Sequence, residues 1–465
     1  MRPIYLTSGI RRIEQAAGEL APPLMERAGA AAAELAAKLA SDKSKDILVL
    51  AGPGNNGGDA RVAAARLKEQ FYRVSVVSSP KELAEKPWSL VVDGLFGIGL
   101  AREVSGDYAQ LVDYANRQAC PVLALDIPSG IESDSGRVLG CAVRASHTIS
   151  FIALKPGLLT LDGPDYCGEI SVADLGLDLP RLLPPTAWVA GPDLFKGVLK
   201  PRPRNFHKGM AGSLAILGGA AGMTGAALLA GRAALKLGAG RVYVGLLEES
   251  SPSADLGALE LMLRHPDDAL GEDLDALVVG PGIGDGERAG TLVGAALASD
   301  IPCVLDADAL NLISENSDLR KSCARRSAET LVTPHPAEAA RLLGSTVAAV
   351  QADRIKAAKM IADNLNAHVV LKGNGSIVVA RDGHWFINAS GNAGMASAGM
   401  GDVLAGMLGA LLAQRYTGET ALVLGVHLHG AAADELVRHG TGPVGLTAGE
   451  VIDAARGVWN SWLSA

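Results

Sequence analysis

Residues 47–70, ILVLAGPGNNGGDARVAAARLKEQ, decide the fold class. The apolar run 47–50 suits a buried strand, and AGPGNNGGD reads as a tight loop leading into a helix expected from about Asp59 to Gln70. Outward from this unit the rhythm repeats. Apolar runs at 74–77, 90–92, 122–125 and 148–152 alternate with helical stretches, which predicts parallel βαβ units in a doubly wound sheet. Upstream, a short helix carrying Ile10, Ile13 and Glu14 is expected to be capped by Thr7 or Ser8, and LMERAGAAAAELAAKLA (24–40) forms a second helix.

The rhythm breaks in Pro-rich, basic sequence near 180–205, so a boundary is expected there, with domains at 1–196 and 197–465. PRPRNFHK (201–208) reads as a linker. A second α/β series follows, with strands expected at 213–217, 242–246, 276–279, 302–305, 330–332 and 369–371, then a hairpin turned by Asp382-Gly383 and a mainly helical end. The chain of 465 residues is ample for two such domains at roughly 150 residues or more each.

Composition narrows the function. With a net charge of −8, a nucleic-acid partner is not expected. Five cysteines without a CxxC speak against a disulfide framework or a zinc site and favour a reducing, cytoplasmic compartment. The N-terminus lacks the apolar segment of a secretory signal. The uncharged run 209–231 is long enough to span a bilayer, but its seven glycines fit strand, loop and helix, so no membrane association is expected. His427 and His429, with Asp434, stand at a spacing that puts the two imidazoles on different sides of a helix, which favours packing over metal binding.

Chemistry gathers at strand ends, where open α/β sheets bind ligands. The loop 51–60 is neither GxGxxG nor a P-loop, yet a helix starting beside it aims free N–H groups at an anion. VVDGLFGIGLARE (91–103) puts Asp93 at a strand end, and LALDIPSG (123–130) puts Asp126 and Ser129 at another. A strand-end Asp alone is as readily a helix cap or a turn former; convergence with Asn56 is what points to a ligand or cation site. In the second half, HKGMAGS (207–213), GGAAGMTGAALLAG (218–231), VVGPGIG (278–284), LDADALNL (305–312), TPHPAEAARLL (333–343), LKGNGS (371–376) and GNAGMASAGMGD (391–402) all fall at expected loops. Asp402 follows a glycine-rich turn at a helix N-terminus, where backbone amides bind anions and a carboxylate can act as base.

LMERAG, GPGNNGGD, VVDGLFGIGL and LDIPSG together resemble the epimerase domain of the bifunctional NAD(P)H-hydrate repair enzymes, a Rossmann-like α/β/α fold. The resemblance implies that Asn55, Asn56, Gly57, Gly58 and Asp59 contact the hydrated nicotinamide nucleotide, as do the loop residues Gly97, Ile98, Gly99, Leu100, Ala101, Arg102 and Glu103. It implies a potassium ion on Asn56, Asp93 and Ser129, and Asp126 as both substrate contact and catalytic acid/base.

The second half resembles the ribokinase-like superfamily, in its branch of ADP-dependent NAD(P)H-hydrate dehydratases, also α/β/α. By matching position, Lys372, Gly373, Asn374, Gly375 and Ser376, with Asn392, Ala393, Gly394, Met395, Ala396, Ser397, Ala398, Gly399, Met400 and Gly401, hold ADP. Ala226, Gly284, His335 and Asp402 face the hydrate, with Asp402 catalytic and Mg²⁺ accompanying the phosphates. The pattern departs from the family at Ala398-Gly399, where Gly-Gly is usual. The implied function is repair of hydrated NADH and NADPH by a homo-oligomer. The alternative is a hydroxyethylthiazole-type small-molecule kinase with an N-terminal nucleotide-binding module.

Overall fold

The computed structural model describes residues 1–18, 20–199, 201–250 and 252–464, and the chain divides into two compact units, Arg2–Trp188 and Val189–Ala465. The division falls eight residues before the boundary read from the sequence.

The first unit holds a six-stranded, wholly parallel sheet in the order Val74–Val77, Asp46–Ala51, Trp88–Gly94, Val122–Leu125, His147–Phe151, Glu169–Ala173. Alternation along each strand fills two cores. Ile47, Val49, Leu90 and Val92 face the helices Thr7–Ala17, Leu24–Leu39 and Asn55–Glu69, whereas Leu48, Leu50 and Val91 pack with Leu111 and Val112 of the helix Gly106–Asn116. The result is three layers, α/β/α.

In the second unit seven strands run parallel in the order Met262–Arg264, Arg241–Leu246, Ser213–Gly218, Ala276–Val279, Cys303–Leu305, Thr330–Val332, His368–Leu371. Antiparallel Ser376–Val379 and Trp385–Asn388 follow, and Ala187–Val189 completes the ten-stranded sheet. The hairpin turns at Asp382-Gly383, with Gly383 at φ +91°. Run 209–231 is strand, loop and helix, and among the described residues no helix is long and apolar enough to cross a membrane.

Three expectations are corrected. The helix after the glycine loop begins at Asn55, not Asp59, so NNGGD is its first turn and a half. The first helix has Leu6 at its N-cap without a side-chain cap; Thr7 instead binds Asp134 Oδ1 through its N–H, at 2.7 Å, and its hydroxyl, at 2.9 Å. Strands Glu169–Ala173 and Met262–Arg264 were not read as strands: both are edge strands with exposed residues, so they lack the continuous apolar signature of their neighbours.

Candidate active sites

In the first unit three neighbouring strands end side by side. Register pairs Leu50 with Asp93 and Asp93 with Ala124, which brings the loops after Ala51, Gly94 and Leu125 together. They border a cavity of about 660 Å³ whose wall includes Asn55, Asn56, Asp59, Gly97, Ile98, Gly99, Leu100 and Asp126. Ala101, Arg102 and Glu103, also expected at the ligand, do not line it, nor do Gly57 and Gly58. Gly57 has a packing reason to be glycine: a Cβ there would meet Gly52 O at 1.9 Å, so it lets the helix seat on the loop.

Beneath the cavity lie Asn56, Asp93 and Ser129, all buried. Ser129 donates its N–H to Asp93 Oδ2 at 2.8 Å and its hydroxyl to Asp93 Oδ1 at 2.7 Å. Burial nevertheless pushes the Asp93 carboxyl up to about 6, with the Ser129 hydrogen bonds opposing. Asn56 Nδ2 donates to Phe96 O at 2.9 Å and Leu125 O at 3.2 Å, while its Oδ1 is buried and without a hydrogen-bond partner. An orphaned carbonyl oxygen beside a buried carboxylate and a hydroxyl is a donor set of hard oxygens that suits a cation of low charge.

Asp126 itself holds φ +67°, a conformation rare and strained for a residue with a side chain. Its Oδ2 accepts from Ile98 N–H at 3.2 Å, and its Oδ1 is ion-paired with the fully buried Lys155. Burial, then the nearby Asp126 and Glu14, push the Asp59 carboxyl up to about 8, with Lys155 opposing. Glu14 is raised as well, by burial first. Asp59 on the cavity wall therefore keeps its proton near neutral pH, close to Asp126. Sequence reasoning missed Lys155, Glu14 and Arg11, which belong to no glycine loop.

The second unit assembles its group around one ammonium. Lys372 Nζ donates to Asp306 Oδ1 at 2.9 Å and stands 4.0 Å from Glu338 Oε2; Thr333 Oγ1 donates to the same Asp306 oxygen at 2.6 Å. Burial pulls the Lys372 ammonium down, but Asp306 and Glu338 outweigh it and its pKa is raised. Asp402, half-buried, is the third residue of the helix Met400–Ala413, whose N-cap Gly399 adopts φ +88°. A Cβ on Gly401 would lie 3.3 Å from Lys372 Nζ and 3.6 Å from Asp306 Oδ2, so the helix start abuts the ion pair. Burial, then Asp306, push the Asp402 carboxyl up to about 6, with Lys372 opposing.

Others of the expected residues make contacts of their own. Gly284 N–H donates to Asp308 Oδ2 at 2.9 Å. Ala226 lies across the same turn, 3.3 Å from where a Cβ on Gly282 would stand. His335 caps the helix Pro336–Leu343: its Nδ1 accepts from Ala337 N–H and Glu338 N–H, and Glu338 accepts from its N–H at 2.7 Å. Arg354, buried, donates to Leu371 O and Lys372 O and braces the Lys372–Gly373 turn. Asn392 holds its loop by accepting from Gly394 N–H and donating to Asp434 Oδ1, and Asp434 also accepts from Gly391 N–H. Ala393, Ala396, Ser397 and Ala398 leave that loop open to a ligand.

Asp434 is thus a loop anchor, and His427 packs with Phe195 and Trp462. The one cluster of three potential metal ligands among the described residues, Asp382, His384 and Glu419, lies at the hairpin turn and the start of the helix Gly418–Arg438, outside this group.

Comparison with known proteins follows the two units. A family model described as NAD(P)H-hydrate dehydratase matches residues 214–454, and one described as YjeF-related protein N-terminus matches 22–87 and 77–157. A protein of Escherichia coli named bifunctional NAD(P)H-hydrate repair enzyme Nnr is 38% identical over 94% of this chain and 90% of its own length. An ADP-dependent (S)-NAD(P)H-hydrate dehydratase of Neisseria meningitidis is 47% identical over 57% of this chain and 91% of that protein. A Bacillus subtilis ADP/ATP-dependent NAD(P)H-hydrate dehydratase, co-crystallised with ATP/Mg²⁺, is 31% identical with a TM-score of 0.53, covering 59% of this chain and 98% of that one.

Proposed function

The chain belongs to the family of bifunctional NAD(P)H-hydrate repair enzymes, and from that premise we propose how its residues divide the work. It is an enzyme of two activities, epimerisation of hydrated NADH and NADPH and ADP-dependent dehydration of the S epimer. The kinase alternative shares the ribokinase-like fold and is the weaker reading beside relatives named for the dehydratase.

In our reading residues 1–196 carry the epimerase and 197–465 the dehydratase. Asp126 is the acid/base of the first. The hydrate bears a hydroxyl on C6 beside the ring nitrogen, and inverting that carbon needs a proton removed from and returned to the oxygen, whether the hydroxyl leaves or the ring opens. A positioned carboxylate contributes about 10²–10⁴-fold to such a step. The single observation carrying this assignment is Asp126 on the cavity wall, strained and held from two sides. Asn55, Asn56, Asp59 and the 97–100 loop are its substrate contacts. Asn56, Asp93 and Ser129 hold K⁺, a reading supported by the unpartnered Asn56 Oδ1; bound there, the ion supplies positive charge that keeps Asp93 ionised.

In the second unit Asp402 accepts the C6 hydroxyl proton while that oxygen takes the terminal phosphoryl group of ADP, releasing AMP. The new phosphate ester then leaves as phosphate, assisted by the ring nitrogen lone pair, and the iminium ion so formed loses a C5 proton to the departing phosphate or solvent, which makes the C5–C6 double bond of NAD(P)H. Amides of 399–401 and the 372–376 and 392–398 loops hold the nucleotide, with Ala226, Gly284 and His335 at the hydrate. Mg²⁺ would screen the phosphates. A cytoplasmic setting is supported by five free cysteines. We also carry forward the homo-oligomer. The test is to supply hydrated NADH with ADP and Mg²⁺ and follow recovery of reduced-cofactor absorbance; ADP-independent recovery, or none, contradicts the reading.

A further inference from the structure

Lys155 follows the strand His147–Phe151 and precedes Pro156. Its side chain is wholly buried, a rare state for lysine. The ammonium has three protons and three acceptors: Asp126 Oδ1, Ser150 Oγ at 3.0 Å and Phe151 O at 2.7 Å. Every donor is used, so the group is fixed in place. An apolar side chain would fill the same interior without the cost of desolvating a charge. The charge is instead kept against the carboxylate that lines the cavity.

The surroundings give that charge a task. Asp59 and Glu14 line the same cavity as Asp126, while Arg11 lies 3.9 Å from Glu14 at the exposed side. The Asp59 side chain is itself buried. Lys155 is the cation in direct contact with Asp126, opposite the Ile98 N–H that binds the other oxygen.

We propose that Lys155 is the positioning residue of the epimerisation site: its ammonium, fixed by three acceptors, grips Asp126 Oδ1 and so aims the Oδ2 lone pair at the cavity, ready to take the hydroxyl proton and give it back. This rests on the epimerase reading of that cavity. Lys155 forms no bond to substrate in this role.

The test uses the full chain as K155M and K155A, with R/S interconversion followed by separating the epimers. Dehydration of the S epimer in the same preparation reports on the second unit. K155M is expected to lower kcat by about 10²-fold, with KM changed less than about threefold. Butylamine is expected to restore part of the K155A rate. Unchanged kcat, a raised KM with kcat intact, or no rescue of K155A by butylamine overturns the proposal. Should K155M abolish the first unit's thermal transition, S150A decides: it keeps the charge, removes one of its three acceptors, and is expected to cost about tenfold in kcat; wild-type kcat in S150A overturns the proposal. Absence of interconversion in the wild-type chain, with dehydration normal, defeats the epimerase reading itself and is a separate outcome.

Discussion

Ser129 grips both oxygens of Asp93, N–H to Oδ2 at 2.8 Å and hydroxyl to Oδ1 at 2.7 Å, and its Oγ also accepts from the N–H of the cavity-lining Phe96. Even so the carboxyl is raised to about 6, because its burial is complete and three hydrogen bonds, the third from Leu95 N–H at 3.2 Å, do not replace lost water. The sign for stability follows. A carboxyl whose folded pKa exceeds its unfolded value stabilises the fold while protonated, and that contribution is lost as pH rises from about 4 through 6. The first unit should therefore melt lower at pH 7 than at pH 5 in potassium-free buffer, with Asp93 accounting for about 3 kcal/mol at most. Adding K⁺ should restore melting temperature at pH 7 far more than at pH 5, and D93N should remove the difference. An equal response at both pH values contradicts the cation reading.

Gly57 and Gly52 make a tighter demand. With 1.9 Å between a Cβ at Gly57 and Gly52 O, G57A must separate helix from loop and should cost about 3 kcal/mol. Denaturant unfolding of the first unit checks this, and wild-type stability would show that the loop yields easily.

Asp402, raised to about 6, must be ionised to accept a proton. Dehydration should then rise with pH up to about 6 and level off above it. D402A should lower the rate by at least about 10²-fold and lose that limb. A pH-independent rate between 5 and 7 in the wild-type chain removes the assignment.

Lys372 and Asp306 form the second unit's interior ion pair. K372M strands a buried carboxylate and should destabilise that unit by about 3 kcal/mol. Because the ammonium also holds Asp402 down, the acid limb of dehydration should move to higher pH. A shift to lower pH contradicts the arrangement.

Much of this was legible in the sequence for physical reasons. Buried parallel strands read as unbroken apolar runs, so 47–50, 90–92 and 122–125 announced themselves inside the longer strands, and the polar residues at their ends, Asp93 and Asp126, had to share one edge. Lys155 was not legible: in FIALKPG it looks like any surface lysine, and its burial arises only once 147–151 is inside the sheet. The caps misled for a similar reason. Asn55 starts its helix because Gly52 and Gly57 permit the close approach, not because a side chain caps it, and Thr7 serves Asp134 instead of its own helix. His335 has a capping role that its histidine identity does not advertise.

The most direct measurement starts from pure R-hydrate of NADH with ADP and Mg²⁺, comparing wild type, D126N and D402A by epimer separation and reduced-cofactor absorbance. The account predicts full recovery of NADH by the wild type, slow recovery limited by uncatalysed epimerisation in D126N, and in D402A an R/S mixture that accumulates without NADH. Rapid R-to-S conversion by D126N, or loss of interconversion in D402A, would contradict one proton-handling aspartate for each activity.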